Sequence, residues 1–351
     1  MKTLPTVFPL IISNTDMNLI STCPLKWFRV RAQHLTRPRF NIDLSAGGEF
    51  AKGLEVTRKL YFDEGCSKSD SVEIGKQTIR DGLNELIAKA EQEDLYVSDK
   101  QLLKSPERMA VALGQYFKKF SLDDGTYIPA KREDGSFAFE HTFTTELPIL
   151  HPELNVPLIF KGKLDLIQKF GERFSGVDDK TTSRIQENLG TMLMSNGQFL
   201  GYAWLARKHG IKLTDFRVRK VSIQVNEIKI PDEYIIPMTD YVIKTWEEAF
   251  LHKIKNLVEQ YKSYLAYLTY KNTDSRESMF FIPDYGNGCN AYNKPCQFIT
   301  SCTNNLEREA LLDIRSDGLG KSDYRQLVYE KESGTSIELT EYRELLGLDN
   351  E

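Results

Sequence analysis

The sequence of 351 residues contains no apolar run of about 18 residues, the minimum for a membrane-spanning helix. Its longest early apolar stretch, residues 7–12, is short and contains Pro9. The first residues also lack the basic start and the long apolar stretch of a secretion signal. We therefore predict no membrane partner and expect a cytoplasmic protein, in which disulfide bonds do not persist.

Charge of one sign is not in large excess, because the net charge is only −4. Bulk charge therefore does not indicate a polyanionic partner. The distribution is uneven, since Lys and Arg outnumber Asp and Glu over residues 24–60 and 151–230 and the balance reverses over 303–351. The two basic segments are candidates to line a nucleic-acid backbone, although an ordinary mixed surface explains the same counts.

Two common catalytic motifs are absent. The nearest match to a phosphate-binding loop, Gly320-Lys321-Ser322, has Arg315 where that loop needs a glycine, and no strand is predicted before it. The five histidines show no metal-ligand spacing. These absences argue against an ATPase or helicase and against a histidine-based metal site.

Hydrophobic periodicity divides the chain into a helical first part and a mixed second part. A period of 3.6 residues predicts helices over 18–35, 50–62, 71–92 and 105–120. The period then changes to 2, which predicts strands over 138–149, 158–170, 174–181, 216–226 and 233–237. Further helices are predicted over 185–209, closed by Gly210, and over 240–268. This order predicts an α/β (α+β) fold whose central mixed β-sheet is flanked by helices, with a helical insert.

Two acidic residues and a lysine lie on neighbouring predicted strands. Asp165 belongs to one strand, and Asp178 and Lys180 lie at the end of the next. Because side chains two apart on a strand point the same way, Asp178 and Lys180 share a face and Asp179 points to the other. Two carboxylates can hold one divalent cation, and a nearby ammonium can stabilise charge on a phosphate. Phosphodiester cleavage uses this combination, although Asp-x-Lys also occurs as a turn or a surface ion pair.

Three motifs follow one another in the order of a known family. They are Gly162-Lys163-Leu164-Asp165, then Asp178-Asp179-Lys180-Thr181-Thr182, then Gln198-Phe199-Leu200-Gly201-Tyr202. The series resembles the RecB-like branch of the PD-(D/E)XK nucleases, which includes AddB, CRISPR-adaptation nucleases and phage exonucleases. The pattern of that branch is Gly-x-x-Asp, Asp-x-Lys-Thr and Gln-x-x-x-Tyr. The resemblance implies a restriction-endonuclease-like core.

The resemblance also implies roles for individual residues. Asp165 and Asp178 would hold Mg2+ or Mn2+, and Lys180 would be the catalytic lysine. Gln198 and Tyr202, one helical turn apart, would border the site and contact DNA. A half-buried helix face is the alternative for this last pair.

The implied activity is metal-dependent hydrolysis of DNA that leaves 5′-phosphate and 3′-hydroxyl ends. The branch favours an exonuclease that acts on single-stranded ends. Because no motor motif is encoded, we expect a separate helicase partner. We expect the protein itself in the cytosol of a bacterial, archaeal or phage-infected host cell. The alternative is a non-catalytic DNA-binding or assembly subunit that keeps the fold.

The upstream helix departs from the family pattern, in which a histidine stands in Gly-x-x-x-His. Lys52 occupies the histidine position after Gly48, and a lysine cannot bind a metal in the same way. Glu55 matches a glutamate that follows in the family, so the resemblance makes it a further candidate metal ligand, and Glu49 is a weaker match. A solvated helix carboxylate is the alternative for Glu55.

Cysteine is scarce, and three of the five residues lie close together as Cys289-x6-Cys296-x5-Cys302, in a loop rich in Gly, Asn and Pro. Such a cluster usually binds metal, and Cys23 is the natural fourth thiolate. The nuclease branch holds a [4Fe–4S] cluster with one N-terminal cysteine and a C-terminal trio, so the resemblance implies a cluster that staples the termini here. The x6 interval departs from the usual x2, and zinc or free thiols are the alternatives. Cys66 has no predicted partner.

Five regions are predicted along the chain. They are N-terminal helices with the first cluster cysteine (1–65), a helical insert (66–137), the nuclease core (138–270), a cysteine-rich cluster loop (271–302) and an acidic tail (303–351).

Overall fold

The computed structural model describes residues 7–33, 35–36, 42–92, 103–125, 128–132, 134–183, 193–194, 196–271, 277–286, 288–290, 296, 298–299, 302, 325–326, 329–330 and 336–337. The chain divides into two compact units. The first unit comprises Met1–Pro38, Thr145–Lys161 and Glu247–Glu351. The second unit comprises Arg39–Thr144 and Gly162–Trp246.

The helices and strands follow one another along the chain in the order given next. They are β1 (Ile11–Ser13), α1 (Asn14–Thr22), α2 (Pro24–Trp27), a π-helical turn (Phe28–Ala32), β2 (Leu35–Thr36), α3 (Ile42–Phe62), α4 (Lys68–Gln92), α5 (Pro106–Lys119), β3 (Ile128–Pro129), β4 (Phe139–Leu150), β5 (Pro157–Phe170), β6 (Arg173–Thr182), α6 (Gly197–Lys208), β7 (Leu213–Ile223), β8 (Ile228–Lys229), β9 (Tyr234–Pro237), α7 (Asp240–Lys271), a 3-10 turn (Glu277–Met279), β10 (Arg325–Gln326), β11 (Tyr329–Glu330) and β12 (Ser336–Ile337).

The sheet of the second unit is mixed, as the sequence predicts. β5 pairs with β3, with β4 and, antiparallel, with β6. β6 runs parallel to β7, and β7 pairs antiparallel with β8 and β9. The parallel pair is connected through α6, because parallel neighbours need a crossover rather than a tight turn. The predicted fold class, a central mixed sheet flanked by helices, is confirmed.

Alternation along β6 and β7 gives this sheet two different faces. On one face Phe216 lies under α6, where its ring stacks on Phe199 with 5.2 Å between centroids. On the other face Val221 and Ile223 belong to a buried cluster with side chains of α3, α4 and α5. Helices therefore cover both faces of the sheet.

Two glycines let α3 and α4 pack closely. A Cβ at Gly53 would lie 2.6 Å from the Ile79 side chain, and a Cβ at Gly75 would lie 2.8 Å from the carbonyl oxygen of Gly53. These distances are below van der Waals contact, so a larger residue at either position would push the helices apart.

The first unit has an aromatic core. Phe28 stacks on Phe281 with 4.1 Å between centroids, and Phe8 meets Tyr261 of α7 edge-on at 5.1 Å. The imidazole Nε2 of His151 lies 2.8 Å from the Phe8 carbonyl oxygen. Within this unit β1 pairs in parallel with Ile159–Lys161, and β2 pairs with β10.

Two predicted helices differ from the observed ones, and a third is described only in part. The helix predicted over 18–35 is interrupted at Cys23, which is extended (φ −167°, ψ 107°) because a residue before proline is disfavoured in the α region. The helix predicted to start at 50 starts at Ile42. Of the helix predicted over 185–209, the described part includes α6, whose first turn is capped by the Asn196 side chain, which accepts the Gln198 N–H. Residues 184–192 lie outside the described residues.

Other helix signals are confirmed. Ser105 caps α5 by accepting the Arg108 N–H, with Pro106 in the first turn. Gly210 follows α6 at φ +78°, a conformation that favours glycine.

The strand predicted over 216–226 is observed over Leu213–Ile223. None of the helices in the described ranges combines the length and the apolar character needed to cross a membrane.

Candidate active site

The two aspartates meet where the strands of the β5–β6 hairpin separate. The antiparallel ladder runs from Phe170↔Arg173 to Leu166↔Val177, and Asp165 and Asp178 are the next residues on each strand. At this point the Asp165 Oδ2 accepts the backbone N–H of Asp179 at 2.9 Å. A side chain therefore replaces the next rung of the ladder and keeps both carboxylates at the open end of the hairpin.

Asp178 carries an unsatisfied oxygen. Its residue is only 2% exposed, and its Oδ1 accepts a hydrogen bond from the Lys180 ammonium at 2.8 Å. Its Oδ2 is buried and has no hydrogen-bond partner in the described part of the chain. Burial raises the pKa of Asp178 to about 7; Lys180 opposes this shift and Asp165 adds to it. A buried carboxylate oxygen without a partner is costly, and a bound cation would remove that cost.

Lys180 remains a cation in this setting. Burial opposes its charge, but the carboxylates of Asp178 and Asp165 raise its pKa above the ordinary value. Its side chain is 43% exposed, so the ammonium contacts Asp178 on one side and solvent on the other. Burial likewise raises the pKa of Asp165, against the effect of Lys180.

Asp179 points to the opposite face of the sheet, as its position in the strand predicts. Its carboxylate accepts hydrogen bonds from Arg58 of α3 and from the Tyr116 hydroxyl of α5, both at 2.7 Å. Burial, followed by the Asp179 charge, raises the pKa of Tyr116 to about 12. Arg219 of β7 donates to the same hydroxyl at 3.5 Å. The predicted helical insert, which includes α5, thus supports the strand that carries Asp178 and Lys180.

Gln198 and Tyr202 lie on one face of α6, and the Gln198 side-chain amide donates to the Tyr202 hydroxyl at 3.1 Å. A Cβ at Gly162 would lie 2.9 Å from the Tyr202 ring, so the glycine of the first motif lets α6 approach β5. Burial raises the pKa of Tyr202, and the charges of Asp178 and Lys180 also act on it. The second and third motifs therefore lie side by side.

Two acidic residues of α3, Glu49 and Glu55, have other partners. Glu49 is buried against Gly82 of α4 and accepts a hydrogen bond from Lys52 at 2.7 Å. Glu55 forms an ion pair with Lys59 at 2.6 Å, its only ion pair with a described residue. The role of Glu55 as a metal ligand stays a prediction.

A further carboxylate, that of Glu140 on β4, was not predicted from the sequence. Glu140 has a positive φ of 47°, forms an ion pair with Lys163 and is mostly buried. Burial raises its pKa, Lys163 lowers it, and the charges of Asp165 and Glu55 raise it further. Alternation along β4 gives no signal for this position, because the left-handed backbone changes the direction of the side chain locally.

Comparison with known proteins identifies the family. A family model described as the PD-(D/E)XK nuclease superfamily matches residues 11–303. The chain belongs to this superfamily. It is therefore a nuclease, and nucleases of this superfamily generally use Mg2+ or Mn2+.

Two solved structures are similar to this PD-(D/E)XK nuclease. One is a protein of Eubacterium rectale named "Putative exonuclease", which is 13% identical, with a TM-score of 0.42 over 84% of this chain and 94% of that one. The other is SSO0001, which is 11% identical, with a TM-score of 0.27 over 71% of this chain and 78% of that one. No curated protein matches the sequence.

The carboxylates of this nuclease fit a divalent cation. Within the described ranges no group of three or more His, Cys, Asp or Glu side chains is arranged to hold a metal. The fit therefore rests on two carboxylates, one with an unsatisfied buried oxygen, which match the preference of Mg2+ and Mn2+ for oxygen ligands. Water or a phosphate oxygen can supply the remaining ligands.

Four cysteines of the nuclease come together in its first unit. Burial raises the pKa of the Cys289 thiol, and the thiols of Cys296, Cys302 and Cys23 raise it further. The Cys296 N–H donates to the Cys289 carbonyl oxygen at 2.7 Å. A Cβ at Gly288 would lie 2.6 Å from the carbonyl oxygen of Thr22, so the backbone next to Cys289 contacts the end of α1.

All five cysteines are free. Arg29 donates to the Cys302 sulfur at 3.4 Å and opposes the rise in pKa that burial causes there. Cys66 lies in the second unit, in the loop after α3, and is partly buried.

Proposed function

We propose that this PD-(D/E)XK nuclease hydrolyses DNA phosphodiesters with Mg2+ or Mn2+ bound by Asp165 and Asp178. The observation that carries the proposal is the buried Asp178 Oδ2, which has no hydrogen-bond partner among the described residues. It belongs to a carboxylate whose other oxygen is held by Lys180. One oxygen is thus engaged by the protein, and the other is free to bind a cation.

The reaction needs a polarised phosphate, an activated water and a stabilised negative charge. A divalent cation at this site would polarise the phosphate and lower the pKa of the attacking water. Lys180 presents a permanent positive charge to phosphate oxygens, because the neighbouring carboxylates raise its pKa. Its partial exposure lets the ammonium contact a substrate while it remains bonded to Asp178.

The proposed products follow from the bond that breaks. The water oxygen adds to phosphorus as the bond between phosphorus and O3′ breaks. Water loses one proton and the leaving 3′ oxygen gains one, so the ends are a 5′-phosphate and a 3′-hydroxyl. Gln198 and Tyr202, which share a hydrogen bond beside the site, would contact the DNA strand.

The finer substrate preference is also a proposal. We infer an exonuclease that degrades single-stranded DNA from its ends, because the three motifs resemble the RecB-like branch. The chain encodes no phosphate-binding loop, so a separate helicase would supply the single strands.

Digestion of labelled DNA tests the function. We expect wild type to degrade linear single strands with Mg2+ or Mn2+ and to spare closed circles. Asp178→Ala and Lys180→Ala should each lower the rate on the order of 100-fold to 1,000-fold. Asp240→Ala is the matched control, because this carboxylate of the second unit is exposed and pairs with Arg207. Wild-type rates in both site variants would refute the assignment, and a wild type that binds but never cuts DNA would indicate a non-catalytic subunit.

We also propose that Cys23, Cys289, Cys296 and Cys302 hold a [4Fe–4S] cluster, with zinc as the alternative. The support is electrostatic: the thiols of Cys296, Cys302 and Cys23 raise the pKa of Cys289. Arg29 also donates a hydrogen bond to the Cys302 sulfur. Such a group would join two ends of the chain and convert metal-binding energy into folding energy.

Anaerobic purification separates the two metals. A [4Fe–4S] cluster gives a brown protein with absorbance near 400 nm and iron and sulfide in similar amounts. A colourless protein that contains one zinc per chain would favour the alternative, and a metal-free, folded protein would contradict both.

A further inference from the structure

A second lysine lies next to Lys180 in the sheet. In the parallel ladder of β6 and β7, Asp178 pairs with Val218 and Lys180 pairs with Lys220. Paired residues of neighbouring strands project to the same face, and the strands lie about 4.8 Å apart. Lys220 is therefore on the face of Asp178 and Lys180, whereas Arg219 turns to the other face, where it meets Tyr116.

Lys220 differs from its basic neighbours on β7 in having no partner. Arg217 and Arg219 both form ion pairs with Glu233. Lys220 is half-buried and forms no ion pair or hydrogen bond with any residue in the described part of the chain. Burial lowers its pKa, the Lys180 charge lowers it further and the Asp178 charge raises it, so the ammonium lies within electrostatic reach of both groups.

A half-buried ammonium that forms no ion pair is costly to keep, and an anion that arrives with the substrate would lower that cost. Lys180 is hydrogen-bonded to Asp178, a proposed metal ligand, so under the proposed function it would contact the phosphate that is cleaved. Lys220 lies on the next strand, one strand further from the carboxylate pair, so it can contact a different group of the same substrate. The backbone of a nucleic acid offers a row of phosphates for such contacts.

We propose that Lys220 binds a backbone phosphate of the DNA strand next to the phosphate that is cleaved. This inference rests on the proposed nuclease function and adds a binding residue to it. Lys220 then contributes to substrate affinity, whereas Lys180 contributes to the chemical step. None of the three sequence motifs contains Lys220.

Steady-state kinetics on a labelled single-stranded oligonucleotide test this division. Lys220→Ala should raise KM roughly tenfold and leave kcat within about twofold, and Lys220→Arg should restore KM to near the wild-type value. Lys180→Ala should instead lower kcat. The matched control is Lys229→Ala, because Lys229 is an exposed lysine of the same sheet that pairs with Glu227.

The salt dependence of binding gives a second readout that a purely structural lysine would not change. Fluorescence anisotropy of the same oligonucleotide, in buffer without divalent ions, measures Kd at several salt concentrations. The slope of log K against log salt should fall by about 0.7 for Lys220→Ala, the value for one lost phosphate contact on a single strand. Lys229→Ala should keep the wild-type slope.

The outcomes separate the two proposals. If wild type cuts DNA and Lys220→Ala matches Lys229→Ala in KM and in salt slope, the role of Lys220 is refuted. If Lys220→Ala lowers kcat at unchanged KM, the role in binding is also refuted. If wild type binds the oligonucleotide but does not cut it, the proposed nuclease function fails, and the salt slope still decides whether Lys220 contacts phosphate.

Discussion

The carboxylate site and the thiol site of this nuclease are assembled in different ways. Asp165 and Asp178 lie on the two strands of one hairpin, so local pairing brings them together. Cys23 and Cys289 are separated by most of the chain and meet only because the two ends of the first unit fold onto each other. A site made by local pairing is present before any metal binds, whereas a site made by closing a long loop would gain stability from a metal bound there.

The charges at the two sites differ as well. The carboxylate site combines two acids of raised pKa with a lysine and leaves one oxygen unsatisfied. At the thiol site, burial and neighbouring thiols raise the pKa of Cys289, and Arg29 acts on Cys302. We therefore expect changes at the first site to act on chemistry and changes at the second to act on folding.

The largest effect should come from removing one thiol. If the four cysteines hold a metal as proposed, Cys289→Ser should lose most of it and the associated free energy, which is on the order of 10 kcal/mol for structural metal sites. Metal analysis and limited proteolysis measure the loss, and Cys66→Ser is the matched control that should keep the metal. Full metal content in Cys289→Ser would show that Cys289 is not a metal ligand, and the proposed difference between the two sites would be wrong.

A change next to the carboxylate site should act on folding instead of chemistry. Asp179→Ala removes the partner of buried Arg58 and should lower the free energy of unfolding by about 3–5 kcal/mol. Urea denaturation measures this loss, with exposed Asp240→Ala as the control. A stability equal to that of wild type would show that the far face of β6 does not depend on this pair.

Metal binding at the carboxylate site should depend on pH. The pKa of Asp178 is raised to about 7, so below this pH a cation must displace a proton and above it the carboxylate is already ionised. Mn2+ affinity should therefore fall roughly tenfold for each pH unit below about 7 and level off above it. Calorimetric titration at several pH values checks the slope, and a constant affinity across that range would contradict the assigned ionisation.

The smallest effect should come from crowding the contact between the motifs. Gly162→Ala places a methyl group against the Tyr202 ring and the Leu205 side chain, which should cost about 1–3 kcal/mol of stability. Thermal unfolding measures this cost. Gly125→Ala is a control, because a Cβ there meets nothing within 4 Å. Equal melting temperatures for both variants would show that α6 can shift without penalty.

Features with a local cause could be predicted from the sequence. The period of 2 along β6 separates Asp178 and Lys180 from Asp179, and the hydrogen bonds of Asp179 to α3 and α5 confirm this separation. The Ser105 cap and Gly210 mark helix ends through backbone chemistry that acts over a few residues. Pro24 also acts locally, because it keeps Cys23 extended and so interrupts the helix predicted over 18–35.

Features with a non-local cause could not be predicted. Lys220 comes beside Lys180 only through the parallel register of β6 and β7, which depends on the crossover through α6. Glu140 comes near Asp165 through a left-handed residue in β4 that no periodicity indicates. The hydrogen bond from the insert residue Tyr116 to Asp179 likewise depends on packing between elements distant in sequence.

Mn2+ binding followed by electron paramagnetic resonance tests the central claim most directly. Wild type should bind about one ion at the paired carboxylates, and Asp178→Asn, which removes the charge but keeps the shape, should weaken this binding at least tenfold. Asp240→Asn should bind the ion like wild type, since Asp240 is exposed and paired with Arg207 and Lys212. If Asp178→Asn bound Mn2+ as tightly as wild type, the unsatisfied oxygen of Asp178 would not be a metal ligand and the account of the active site would be wrong.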